Sequence, residues 1–559
     1  NWENKAKNLY GDYSYSKRFG GDLKGIENKI SYLKDYGVEV LWISSPFYSY
    51  SGNKNDVIDY RHISPDYGVI QGKNGESEYK LLKVNEGKSA LGETLNKDSW
   101  TNSESDEIFI NLIKKLNKEG IGVVSDINFD YVSERFFAYE DVLKNGKNSK
   151  YLAWFNVKIE DGKVPYSGLS DLGVDSLEGK RYRKSFVEIL ETYNFEEKQE
   201  LLQWNKNHMF IEAIGKNKNL IKLNLGNKDV QEYIIESSKK WLNAGLSGYI
   251  VRTRDKNDFY TLWEKAINPS GNYIIKYDFT DNSSGDKTKQ LDYEFSDILY
   301  KFLSASSFTG EDLYTNMYIL NRNIDSINFI EGIDMERVPS AIINGNREFD
   351  SENEEKGNYL GINPMIIDEN DLDKYKMGIF LQFLLSGSPS IYYGSEKFMW
   401  GGDVPHNRKA MLWDEFFPYM DESDGIKKYD GKKDSLDTKI VYDQVEGKVR
   451  YKIPVEKTLE EFYKKLIKFR NDNEALIDSG VMDKIKTGPN LLVFSKTFNN
   501  ETYIFVVNKS GKEETAVIEV GEGKELQDYF TGDKKSILKV SVELTIPKQG
   551  IKIYKKIKK

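Results

Sequence analysis

Gly122-Val123-Val124-Ser125-Asp126-Ile127-Asn128-Phe129 is a short, β-branched apolar run that ends among Asp and Asn residues. A run this short and this continuously apolar reads as a strand covered on both faces, the kind found in parallel sheets. Immediately before it, Glu107–Glu119 carries apolar residues at helical spacing, so the local unit is helix then strand. Working outward, the same pairing recurs. Val38–Ser44, Gly248–Thr253, Tyr273–Asp278, Ile327–Gly332 and Ser390–Gly394 read as further buried strands, and Leu23–Tyr36, Val230–Ala244, Leu372–Leu385 and Thr458–Asn471 as further helices. Alternation of this kind predicts βα units around a parallel sheet.

Two stretches break the pattern. From Asp130 to about Leu223 the chain is rich in Tyr, Lys and Gly and loses its periodicity, which predicts an excursion forming a subdomain. After about Asn473 the helical spacing gives way to alternating runs at Leu491–Lys496, Thr502–Val507 and Val540–Ile546, with Asn508–Gly511 as a turn, which predicts a small antiparallel β domain. The Lys-rich end, Tyr554–Lys559, is expected to be a solvated tail.

Composition excludes several classes. With 80 basic against 89 acidic residues and a net charge of −9, the balance argues against a nucleic-acid partner held by a basic surface. No window approaches the roughly 20 apolar residues a bilayer span needs. The absence of cysteine removes disulfides, thiolate metal sites and a Cys nucleophile, and suits an extracellular or cell-surface protein. His62, His208 and His406 lie in separate segments without i, i+4 partners, so no metal site is expected on them. No cofactor is expected either.

Several segments, in order, carry a family resemblance. Gly21-Asp22-Leu23-Lys24-Gly25-Ile26 is followed by Trp42-Ile43-Ser44-Ser45-Pro46, Asp56-Val57-Ile58-Asp59-Tyr60 and Pro65-Asp66-Tyr67-Gly68. Ser388-Pro389-Ser390-Ile391-Tyr392-Tyr393-Gly394-Ser395-Glu396 and Asn407-Arg408-Lys409-Ala410-Met411-Leu412-Trp413-Asp414 follow later. Together these segments resemble the α-amylase superfamily of glycoside hydrolases, in particular its α-glucosidases and oligo-1,6-glucosidases, over nearly the whole chain. The resemblance implies a (β/α)8 barrel over residues 1–129 and 224–475, an inserted subdomain at 130–223 after the third strand, and a C-terminal β-sandwich domain at 476–559. It also implies a site at the carboxyl ends of the barrel strands.

The chemistry of that family needs two carboxyl groups, about 5–5.5 Å apart in retaining enzymes, one attacking the anomeric carbon and one protonating the leaving oxygen. Aligned residue by residue, the chain departs from this pattern. Asp126 is kept, but Asp130 and Tyr131 stand where the family has Asn and His. Arg252 stands at the nucleophile and Tyr277 at the general acid, with Asp278 one residue out of register. Asp334 is the one retained carboxylate of the three, and Arg337 is where the family has Arg. Asn55 replaces a sugar-stacking Tyr, and Ser14, Ser16 and Arg18 replace an acidic calcium loop, so no calcium is expected there.

A guanidinium cannot attack a sugar carbon, being cationic and without a usable lone pair. These replacements predict a non-hydrolytic member, retained to bind an α-glucan or another glycan, or a protein partner. Two alternatives stand beside it: an active α-glucoside hydrolase with rebuilt carboxylates drawn from Asp334, Asp130 or Asp278, and an amylase-like ectodomain of a membrane-anchored complex, with its anchor upstream of Asn1. At the site itself, Arg252 and Asp334 are expected either to pair and close the sugar pocket or to leave Arg252 and Tyr277 to bind an anionic ligand. Asp126 is expected to bond loop backbone, and Arg408 to tie loops together.

Overall fold

The computed structural model describes residues 21–49, 54–159, 209–252, 258–276, 288–344, 369–399, 406–408, 411 and 456–558, apart from short internal breaks. These residues fall into two units, Gly20–Thr288 and Lys289–Lys559.

In the first unit the parallel strands are β1 (Val40–Ile43), β4 (Gly122–Ile127), β5 (Gly248–Val251) and β6 (Tyr273–Lys276), hydrogen-bonded in that order. A separate antiparallel pair, β2 (Phe47–Ser49) and β3 (Val57–Ile63), lies between β1 and β4 in the chain. Its helices include α1 (Leu23–Asn28), α2 (Ile30–Asp35), α3 (Glu104–Lys118), α4 (Lys228–Asn243) and α5 (Asp258–Ile267), besides others over Glu78–Leu82 and Phe137–Asn145. The single helix expected over Leu23–Tyr36 is therefore two, because Lys29 leaves helical geometry at φ −106°, ψ 12°.

Helix α3 shows why these residues fold locally. Ser103 and Asp106 form a reciprocal capping box, Glu104, Asp106 and Glu107 sit at the positive end of the helix dipole, and Lys115 and Lys118 sit at the negative end. Phe109, Leu112, Ile113 and Leu116 line its inner face and are fully buried. The helix stops at Gly120, whose φ of +80° lets its own N–H reach Asn117 O and the next N–H, of Ile121, reach Leu116 O. Gly245 ends α4 by the same device. The α3 face packs with Trp241 of α4 and Val123 and Ile127 of β4 in one core that also holds Trp263 of α5.

The second unit begins with a parallel run of β7 (Thr288–Asp292), β8 (Ser326–Asn328) and β9 (Ser388–Pro389). Neither unit's parallel run closes on itself. Strand β9 corrects the expectation over Ser390–Gly394. Only Ser388 and Pro389 pair in the sheet, and the chain then turns, with Gly394 at φ +81° ahead of a short 3-10 turn over Ser395–Lys397. Helices α6 (Tyr293–Ser304), α7 (Gly310–Leu320), α8 (Val338–Asn344), α9 (Glu369–Leu384), α10 (Glu456–Asp472) and α11 (Glu474–Ser479) belong to this unit.

The chain ends in an antiparallel β domain. Its strands are β10 (Val481–Thr487), β11 (Leu491–Phe498), β12 (Glu501–Asn508), β13 (Glu514–Glu519), β14 (Glu525–Asp528), β15 (Lys534–Ser536), β16 (Ser541–Ile546) and β17 (Ile551–Ile557). The main sheet runs β10-β11-β12-β17-β14-β15, and β13 pairs with β16 beside it. The Lys-rich end is thus no tail. Ile553 and Tyr554 are buried, β17 is paired on both edges, and its lysines, Lys552, Lys555 and Lys556, are half-buried along it.

Candidate functional site

In the first unit the strand register assembles a polar cluster at the carboxyl edge of the sheet. Trp42 is paired with Val124, and Ile250 with Asp126. Because side chains alternate along a strand, Trp42, Asp126 and Arg252 share a face. The ladder extends one step past β5, with Arg252 N–H donating to Ile127 O at 2.9 Å. Asp126 accepts from the Trp42 indole at 2.5 Å through one oxygen and from Arg252 Nε at 2.6 Å through the other. Asp126 is buried and Arg252 nearly so, which makes this a charge-assisted contact shielded from water. Both of these contacts are to side chains rather than to the loop backbone, because the strand position of Asp126 aims it along the sheet face.

Asp130 and Tyr131 stand where the excursion leaves the sheet. The Asp130 amide donates to Asn128 Oδ1 at 2.9 Å, Asp130 O accepts from Leu223 N at 3.0 Å, and Tyr131 pairs with Lys222. The point of departure at 130 and the point of return at 223 are therefore hydrogen-bonded to each other. The excursion's described aromatics Phe136, Phe137, Tyr151 and Trp154 are buried against one another and form core. Tyr277, Asp278, His208, Ser14, Ser16 and Arg18 lie outside the described residues.

In the second unit Asp334 follows β8 in a turn. Arg408 Nη2 donates to Asp334 Oδ1 at 2.8 Å, and Arg408 Nε donates to Ile333 O at 2.9 Å. Asn407 donates to the carbonyls of Gly332, Ile333 and Met335. The 406–408 turn thus clamps the Asp334 loop while the carboxylate keeps 32% of its surface exposed. Arg337, by contrast, is enclosed. Its Nε donates to Asn407 O at 2.9 Å, and its guanidinium lies 4.4 Å from the Tyr392 ring and 5.0 Å from that of Tyr393. Facing it at 3.4 Å is Glu331, which also accepts from Ser395 Oγ at 2.9 Å. Burial raises the Glu331 carboxyl, and Arg337 offsets this only in part. Glu331 is thus fully enclosed, whereas Asp334 keeps part of its surface open.

Sequence reasoning missed a second cluster in the first unit. His62 is completely buried, with Nδ1 2.8 Å from Asp106 Oδ2 and Nε2 2.7 Å from Glu93 Oε2. Burial alone would lower its pKa, but the carboxylates, Asp106 foremost, outweigh that and hold it at about 9. Lys240 reaches the same Asp106 oxygen at 3.1 Å, and Arg61 pairs with Asp59 at 2.6 Å. Among the described residues no group of three His, Asp or Glu is arranged to hold a metal. None of their helices is long and apolar enough to cross a membrane.

The α-amylase catalytic-domain family matches residues 4–74. Over 519 residues the chain is 25% identical to a cyclomaltodextrinase of Thermoanaerobacter pseudethanolicus, spanning 91% of this chain and 67% of that relative. Over 552 residues it is 22% identical to neopullulanase 2 of Thermoactinomyces vulgaris, spanning 95% and 70%. The chain is thus similar to members of the α-amylase family along most of its length. An Anoxybacillus α-amylase structure in that family superposes with a TM-score of 0.62 at 16% identity, covering 99% of this chain and 94% of the other. A cyclomaltodextrinase structure gives 0.65 at 18%, covering 98% and 73%. At these identities the structural likeness speaks for the fold alone, an α-amylase fold with a C-terminal β domain.

These relatives correct the expectation of a non-hydrolytic binding protein. They are named as hydrolytic enzymes, and they align along nine-tenths of the chain. The physical reason is that the earlier expectation rested on single positions in short segments. Replacing one group removes that group's chemistry, but it does not remove other carboxylates from the same fold.

Proposed function

We propose that this chain hydrolyses α-glucosidic bonds in short or cyclic α-glucans, with carboxylates redistributed from the family's usual positions. The observation that carries the reading is Asp334: it is retained, partly exposed, and held in a clamped loop by Arg408. The enzyme names of the relatives support the reaction class and the glucan substrate.

Such hydrolysis needs one carboxylic acid to protonate the leaving oxygen, and one carboxylate either to attack the anomeric carbon or to activate water. Arg252 can do neither, so its place in the reaction is taken elsewhere. Asp334, Asp130 and Asp278 are the carboxylates that the reading offers for these two tasks. Arg252 and Trp42 hold Asp126 in a fixed orientation, which suits Asp126 to organising the strand ends. The same proposal keeps the closed (β/α)8 barrel, the insertion over 130–223 and the C-terminal β domain from 476, supported by the likeness to solved α-amylase-family structures.

The test is substitution of Asp334, Asp130 and Asp278 to Asn, one at a time, with turnover of a cyclic maltodextrin as readout. Two of the three variants are expected to lose about 100-fold or more in kcat while melting with the parent. Undiminished turnover in all three would remove this assignment.

A further inference from the structure

Lys54 is a lysine in a position that suits few lysines. Its backbone lies at φ +58°, in the left-handed region, and its side chain is 1% exposed. Glycine or asparagine would adopt that backbone more cheaply, so the position is held for what the side chain supplies. The ammonium donates to Asp66 Oδ1 at 2.7 Å, Ser64 Oγ at 2.8 Å and Ser49 O at 3.2 Å. It also stands 5.0 Å from the centre of the Tyr67 ring. The oxygens are organised among themselves: Ser64 Oγ donates its one proton to Asp66 Oδ1 at 2.5 Å and lies 3.1 Å from Ser49 O, and the Tyr79 hydroxyl donates to Asp66 Oδ1 at 3.2 Å.

We propose that the carbonyl, hydroxyl and carboxylate oxygens of Ser49, Ser64 and Asp66, with the Tyr67 face, form a monovalent-cation site that the chain fills from within by the ammonium of Lys54. Among the described contacts one carboxylate balances one positive charge. A divalent ion would leave the pocket with excess charge, and calcium would seek about 6–8 oxygens. Potassium and ammonium match the pocket in charge and are nearly equal in size. The site joins the end of β2 to the Ser64–Tyr67 turn that follows β3, so a cation there fixes two pieces of chain that would otherwise carry a buried, uncompensated carboxylate. The inference goes beyond the proposed hydrolysis and stands whether or not that reaction occurs.

The test is Lys54→Gly, which relieves the backbone while emptying the pocket. Measured in choline chloride, the variant is expected to melt roughly 10 °C below the parent. Potassium or ammonium chloride at the same ionic strength is expected to restore more than half of that loss and to leave the parent unmoved. A variant that melts with the parent, or one equally unstable in all three salts, overturns the proposal. If Lys54→Gly does not fold in choline chloride, its refolding yield becomes the readout: recovery in potassium chloride supports the proposal and failure in every salt overturns it. The double variant Lys54→Met with Asp66→Asn removes both charges and is expected to fold in any of these salts, with no response to potassium. A potassium response in the double variant also overturns it.

Discussion

Replacing His62 by Gln gives the sharpest test of the buried charge cluster. The imidazole is enclosed between Asp106 and Glu93, with Lys240 on the far side of Asp106 and the Arg61–Asp59 pair beside it in sequence. Its pKa is raised in the folded state from 6.5 to about 9. At about 1.4 kcal/mol per pH unit, that rise corresponds to about 3 kcal/mol of pH-dependent stability. A raised histidine pKa means that the folded state binds the proton more tightly than the unfolded chain. The contribution is therefore complete below about pH 6.5 and is lost as pH climbs through about 9. His62→Gln has no proton to lose, so its deficit relative to the parent should be greatest near pH 6 and should shrink by about 3 kcal/mol by pH 9.5. Hydrogen-exchange protection of the amides over 57–63 reports the opening of this unit itself. A deficit that stays constant from pH 6 to 9.5 would refute the reasoning.

Lys496 should show the opposite sign. Burial, aided by Arg470, pulls its ammonium down to about 7, so its penalty is present below that pH and is relieved as pH rises toward 10.5. The stability of Lys496→Met relative to the parent should accordingly fall by a few kcal/mol between pH 7 and 10.5 in chemical unfolding; no pH dependence would contradict this. Arg252→Ala leaves Asp126 buried with only the Trp42 indole among its two side-chain contacts described above, and should cost about 3 kcal/mol in urea unfolding. A double-mutant cycle with Asp126→Asn should return a coupling above about 1 kcal/mol, and additivity would show that the pair contributes nothing.

The strands at Gly122, Gly248 and Tyr273 were legible in the sequence because each is a short β-branched run that parallel pairing buries on both faces. Strand β7 was not legible, since Thr288-Lys289-Gln290-Leu291-Asp292 has a single apolar residue and is specified by its pairing to β8 rather than by its own pattern. The Lys-rich β17 misled for a related reason: Lys552, Lys555 and Lys556 look like a tail until the pairing of their strand with β12 and β14 is weighed. At the site, residue identities could be read from family segments, but partnerships could not. His62 looked isolated because its carboxylates come 31 and 44 residues later in the chain. Lys54 carries no signal in the sequence, because only the folded loop brings Ser49, Ser64 and Asp66 around it. A signal was available in the Asp59-Tyr60-Arg61-His62 run, where one acidic and two basic residues within four positions precede an apolar Ile63 and need buried partners.

The central claim is that α-glucosidic bonds are cleaved by this chain despite a guanidinium at the family's nucleophile position. Reducing-end release from a cyclic maltodextrin, followed over hours at pH 5 to 8, measures it directly, since a ring has no reducing end until it is opened. The account predicts release by the parent protein that falls to the level of a protein-free blank in Asp334→Asn. Blank-level release by the parent across that pH range, with linear maltodextrin and pullulan giving the same result, would contradict it.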